Sequence, residues 1–252
     1  MTTIKNIPAA AAYVLGAIAC VLGLSVVGGW ALGISVLLRV APQWPAMALY
    51  SAIALALSGA VLWAPALLGG LQVRRMRLAC ASILITYSAL ALLETLLDFD
   101  LGIEPHALHR ALNHNFKWPG RMAPSTAFCF ILLGAAFLLL NYQERYRLDF
   151  AIRALAISVA LLAAISLFGY LGSVEFLYSW GGITTMAAHT AFGLVLVGLG
   201  VWFTSYAQSA REDVAVARIM RMATALLVTL GIVTGLTSFA LAQRQTELSA
   251  AN

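Results

Sequence analysis

The sequence predicts an all-α integral membrane protein: seven transmembrane helices, arranged as three parallel helical-hairpin repeats plus one C-terminal helix. Three observations carry this expectation. The chain has 252 residues, of which 62% are hydrophobic and 10% charged, whereas soluble domains average about 25% charged. It holds seven apolar stretches long enough to cross a bilayer, for which about 20 residues suffice. A thirteen-residue segment also recurs three times, in spans two, four and six. Helices are the expected answer because lipid offers no partner to an unpaired backbone group.

The spans fall near 10–38, 46–69, 78–98, 123–141, 151–172, 186–206 and 219–241. The first has an alternative end near Gly33, which would leave Ile34–Val40 at the interface. Lys5 precedes a run too long for a signal peptide, so the start reads as a transmembrane helix. Cys20, Cys80 and Cys129 sit alone in apolar runs without metal spacing and read as small buried hydrophobes.

The recurring segment is MALYSAIALALSG at Met47–Gly59, MAPSTAFCFILLG at Met122–Gly134 and MAAHTAFGLVLVG at Met186–Gly198. On a helix, the positions one, five, eight and twelve after Met fall within about 60° of one another. Three of those four are small in every copy: Ala48, Ala52, Gly59; Ala123, Ala127, Gly134; Ala187, Ala191, Gly198. Such a stripe lets a second backbone approach closely, which is how helices associate in lipid. Helix packing is therefore the plain reading of the repeat.

Loop charges set the expected orientation. Arg74, Arg75, Arg77, Arg145, Arg147, Arg153, Arg211, Arg218, Arg221 and Lys5 fall on one side. Arg39, Arg110, Lys117, Arg121 and Arg244 fall on the other. The positive-inside rule then places the N-terminus in the cytoplasm and the C-terminus outside. Each Met segment starts at the outer face and is preceded by an outward helix ending near Trp30, Glu94 or Tyr170. The hairpins cover about 10–69, 78–141 and 151–206, so residues 1–206 form a three-repeat bundle. Residues 207–252 supply a cytoplasmic loop, the seventh span and an outer tail. Eleven residues after that span, Ala242–Asn252, cannot form a domain; either the protein stops there or this is the membrane part of something longer.

The second repeat carries an insertion. From Glu94 to Met122 is twenty-eight residues, against seventeen and sixteen at the equivalent turns. Leu108, Ala111, Leu112 and Phe116 recur at helical spacing after Pro105, predicting a short amphipathic helix on the outer face.

PGRMAPSTAFCFILLG and TTMAAHTAFGLVLVG resemble the N-terminal multi-pass, MASE-like sensor regions of bacterial hybrid histidine kinases and diguanylate cyclases. LETLLDFDLGIE is similar to the stretch that ends the third span there. The resemblance covers roughly residues 15–206, with Ser125 where the family has Asn and Tyr50-Ser51 where a polar pair with Thr is common. It implies a sensory input module, and a seventh span ending outside resembles those members that continue into a CHASE-type domain. No kinase, cyclase or phosphoacceptor segment is present in these residues.

Candidate ligand-binding residues follow from polarity at depth. His189 lies one turn into span six, and its counterparts are Tyr50 and Ser125, with Thr126, Thr190 and Ser51 next to them. A polar side chain there needs a partner. Glu94 is the carboxylate well inside a predicted span, expected either to snorkel or to line an outer pocket with Trp30 and Tyr170 as counterparts. Trp30, Trp44, Trp118, Tyr178 and Trp180 gather at outer span ends as an interfacial belt. His106 and His109 share one face of the inserted helix, with His114 nearby.

No cofactor is expected. Haem or copper is the alternative, held by His189 with His106, His109, His114 and Met122 or Met186. A glycine phosphate loop, G-x-S-x-G, H-E-x-x-H and paired intramembrane acids are all absent, so no enzyme is predicted. The net charge of +5 reads through topology, not as a nucleic-acid footprint. Expected partners are the lipid bilayer, a second copy of the chain, and downstream extracellular or cytoplasmic signalling domains. The competing functions are a haem or metal redox protein, and an accessory subunit whose small-residue stripe would face outward.

Overall fold

The computed structural model describes residues 3–41, 44–102, 120–143, 148–172, 179–180 and 184–209. The predicted seventh span, the inserted helix with His106, His109 and His114, and the belt residues Trp118 and Tyr178 lie outside the described residues.

Seven helices are seen among the described residues: α1 (Thr3–Leu32), α2 (Ser35–Leu38), α3 (Leu49–Trp63), α4 (Gly70–Leu96), α5 (Pro124–Leu140), α6 (Asp149–Leu171) and α7 (Ala188–Gln208). A two-residue antiparallel bridge pairs Ser179–Trp180 with Thr184–Thr185 ahead of α7. Among the described residues, five helical stretches are long and apolar enough to cross a membrane: Ile7–Leu32, Leu49–Ala66, Gly70–Leu96, Asp149–Leu171 and Ala188–Gln208. The shorter apolar helix α5 has 17 residues, or about 25 Å at 1.5 Å per residue. The protein is thus a multi-pass membrane protein whose apolar helices meet lipid; Ile7, Val14, Val21 and Leu24 line the exposed face of α1.

One predicted boundary takes its alternative position and another is corrected. The first span stops at Leu32, because Gly33 turns the chain at φ +69°, a conformation glycine adopts without strain. The chain then folds back through α2, whose Leu38 is buried and whose carbonyl accepts from the Met47 N–H at 2.9 Å. The third helix begins at Gly70, not near residue 78, so Arg74, Arg75 and Arg77 are helical residues and not loop residues. Arginine is a good helix former. At 27 residues α4 is about 40 Å long, enough to carry its first turns beyond the hydrocarbon.

The helices pack as three antiparallel pairs. Trp30 meets Met47 at one end of α1 and α3, while Gly16 meets Gly59 further along. Ser88 meets Met122 and Ala81 meets Gly134 between α4 and α5. Tyr170 meets Met186 and Ala156 meets Gly198 between α6 and α7. In each pair the glycine closes the gap. A Cβ on Gly59 would lie 2.5 Å from the Gly16 carbonyl oxygen; on Gly198, 2.8 Å from that of Ala156; on Gly134, 2.6 Å from the Ile85 side chain. The small stripe therefore faces the partner helix of its own pair. Ala52, Ala127 and Ala191 are fully buried.

The pairs close on one another through α1 against α7, α3 against α4 and α5 against α6. Helix α7 also touches α3 and α5, so it contacts all three pairs. The core between them is filled by Leu55, Phe130, Leu133, Phe137, Ile152 and Leu194. Cys80 and Cys129 are buried free thiols and Cys20 is half-buried.

Candidate functional site

The three Met segments begin at the same end of the bundle, and their helices start alike. Ala48, Ala123 and Ala187 precede α3, α5 and α7 in extended conformation, without a side-chain cap. Each accepts at its carbonyl the first helical N–H, from Ala52, Ala127 and Ala191 at 2.9–3.0 Å. The methionines before them are buried: Met47 and Met186 at 0% exposure, Met122 at 1%.

Two of the three chain reversals are clasped in the same way. Trp30 Nε1 donates to the Met47 carbonyl at 2.9 Å, and Tyr170 Oη donates to the Met186 carbonyl at 2.5 Å. Both side chains are buried, so their polar tips need these acceptors. Trp30 is accordingly an interior residue and not part of a lipid-facing belt. Trp44 packs its ring on Tyr170 at 4.7 Å, tying the first reversal to the third.

The middle reversal uses charge. Glu94 is 1% exposed, which corrects the snorkelling alternative. Its Oε1 accepts from the Leu101 N–H at 2.7 Å. Arg121, also buried, donates through Nη2 to the Phe99 carbonyl at 2.7 Å and through Nη1 to that of Glu94 at 3.4 Å. It also lies 3.9 Å from Asp100. Asp98 and Asp100 are exposed. Glu94, Trp30 and Tyr170 thus share a place in the pattern, and each fastens its own reversal.

Tyr50, Ser125 and His189 each occupy the second residue of their helix. Tyr50 packs a tilted ring against Tyr87, with centroids 5.0 Å apart. Ser125 is buried and its Oγ has no hydrogen-bond partner; the buried Nδ1 of His189 has none either, nor has Thr185 Oγ1 four residues before it. Ser51, Thr126 and Thr190 are buried beside them. Buried polar atoms without partners are rare and call for a water, ion or ligand. For a metal, His189 offers that free ring nitrogen, whereas the Met122 sulfur faces Ser88 Oγ at 3.8 Å. Among the described residues no three His, Cys, Asp or Glu side chains group as metal ligands.

A second polar cluster, which sequence reasoning missed, lies at the opposite end of the bundle. Gln143, after α5, directs Nε2 to Asp149 Oδ1 at 2.5 Å, the Ser205 carbonyl at 2.8 Å and Ser209 Oγ at 3.0 Å. Arg153 Nη2 donates to Ser209 Oγ at 2.8 Å and its guanidinium lies over the Tyr206 ring. Ser209 also hydrogen-bonds Asp149. Across the bundle, Arg77 donates from Nη2 and Nη1 to the Gln208 side-chain carbonyl at 3.0 and 3.2 Å, in the amide orientation that satisfies both groups. Arg77 and Arg153, counted above as loop charges, are 7% and 5% exposed. The available signal was spacing: each lies seventeen residues before the residue that fastens its reversal, Glu94 or Tyr170.

Comparison with known proteins finds no matching family model, no matching curated protein and no matching solved structure.

Proposed function

We propose that the chain is the membrane-embedded sensory input module of a bacterial signal-transduction protein. In this reading it is a seven-span bundle of three parallel hairpin repeats, with its N-terminus cytoplasmic and the Met ends facing the periplasm. The observation that carries the reading is the pairing of a repeated scaffold with unlike polar groups at one repeated position. Ser125 Oγ and His189 Nδ1 are buried and unpartnered there, on helices whose other repeated positions are fixed by packing. His189 moreover lies on α7, which touches all three helix pairs. A stimulus acting at that end is thus placed to alter hairpin packing, provided it binds two packings unequally. The resemblance of the Met segments to MASE-like sensor regions supports the same reading. The expected partners are lipid, a second copy and downstream signalling domains; any catalytic output would lie in those domains.

The unpartnered Nδ1 of His189 also favours a second reading, a haem or metal redox protein. The accessory-subunit reading is weaker, since its signature stripe faces inward here. The test is a thermal-shift panel on the full chain in nanodiscs, spanning acyl-chain length, quinones, small apolar ligands and divalent metals. The sensor reading expects a stabilising stimulus whose effect is lost in His189→Phe and reduced in Ser125→Ala. No responsive condition, or a response that both variants retain, refutes it; a His189-dependent Soret band selects the redox reading.

A further inference from the structure

The polar cluster at the end of α7 is unlike the rest of this apolar bundle. Within one turn, α7 presents Ser205, Gln208 and Ser209. These are met from α4 by Arg77, from α6 by Asp149 and Arg153, and from the end of α5 by Gln143. Two buried guanidiniums are costly in a low-dielectric interior, and buried charges in membrane bundles are retained where they have a role. Gly134 and Gly198 already bring the backbones of these two pairs into contact. Both arginines reach α7 from the same place in the second and third repeats, Arg153 from the other helix of its own pair and Arg77 from a neighbouring pair.

The two arms differ in strength. Arg153 has Asp149 at 3.9 Å, one helical turn away. Arg77, among the described residues, has a neutral amide and no carboxylate, so its arm is the weaker one.

We propose that the last turn of α7 is a coupling latch. The arginines at the equivalent position of repeats two and three both hold it, Arg153 from within its own hairpin and Arg77 from the neighbouring one, so that a change in packing between these hairpins is delivered to the chain leaving α7 at Ser209. This deepens the sensor reading and rests on it for its purpose, but the latch itself is testable without any stimulus.

The test uses pulsed dipolar distances on the full chain in nanodiscs, with Cys20, Cys80 and Cys129 replaced by alanine. One label at Ala207 is paired in turn with Leu71 on α4 and Phe150 on α6. A control pair at Phe192 and Phe168 reports the Met end. Arg77→Gln is expected to destroy the narrow Ala207–Leu71 distribution, and Arg153→Gln the Ala207–Phe150 one, with the control pair unchanged. Unchanged distributions overturn the proposal, and so does equal broadening at both ends, which would mean simple loss of bundle stability. If Arg153→Gln does not fold, Ser209→Ala supplies the same test, since it removes the hydroxyl shared by Gln143, Asp149 and Arg153. A latch that loosens as expected in a protein with no responsive stimulus leaves the latch standing and removes the sensor reading alone.

Discussion

Adding a single methyl group should rank the three repeats by how closely their helices approach. In Gly59→Ala the new Cβ would sit 2.5 Å from the Gly16 carbonyl oxygen and also meet the Cys20 backbone nitrogen. Ordinary contact begins near 3.4 Å, so α1 and α3 must separate by about 0.9 Å, and neither obstacle is a side chain that can rotate away. Overpacking of this kind costs about 1–3 kcal/mol, and Gly59 belongs at the top of that range. Gly198→Ala meets the Ala156 carbonyl at 2.8 Å and should cost about 1–2 kcal/mol. Gly134→Ala meets chiefly Ile85, a movable side chain, and should cost about 1 kcal/mol or less. Gly28→Ala is the control. It also lies within a helix but has nothing within 4 Å, so the better helix propensity of alanine should make it neutral or stabilising by up to about 1 kcal/mol. Reversible unfolding in mixed micelles reads all four. Equal effects at Gly59 and Gly28 would refute the close-approach account of the repeat.

Three further outcomes follow from the chain reversals and the orphaned groups. Tyr170→Phe keeps the ring against Trp44 but strips the Met186 carbonyl of its donor, and should cost about 1–3 kcal/mol in the same unfolding assay. Glu94→Gln keeps an acceptor for the Leu101 N–H and should be tolerated, whereas Glu94→Leu leaves that N–H unpaired and should cost about 1–3 kcal/mol. Ser125→Ala removes a buried hydroxyl that has no partner, so ligand-free stability should stay within about 1 kcal/mol or rise. A larger loss would mean that the hydroxyl holds a bound water or ligand in the resting protein.

The parts of the structure legible in the sequence were those fixed by local pattern. Apolar runs gave the helices, and Ala and Gly at helical spacing marked the face on which each pair closes. Gly33 was already visible as an alternative end to the first helix. The start of α4 is concealed by Arg74, Arg75 and Arg77, because hydropathy says where lipid ends and not where a helix ends. Trp30 looks interfacial in the sequence because tryptophan is common there; its role depends on a carbonyl seventeen residues away. The cluster around Ser209 was illegible for the same reason. Its members come from four segments, and no one-dimensional pattern joins Gln143 to Ser205. What spacing did contain was the equivalence of Arg77 and Arg153, hidden by treating both as loop charge.

Amide hydrogen exchange on the full chain in nanodiscs, with and without the most stabilising condition of the thermal panel, tests the sensor reading most directly. The account predicts altered protection in the first turns of α3, α5 and α7 together with the last turn of α7, and loss of both changes in His189→Phe. A change confined to one pair of helices, or one that persists unaltered in His189→Phe, would contradict it.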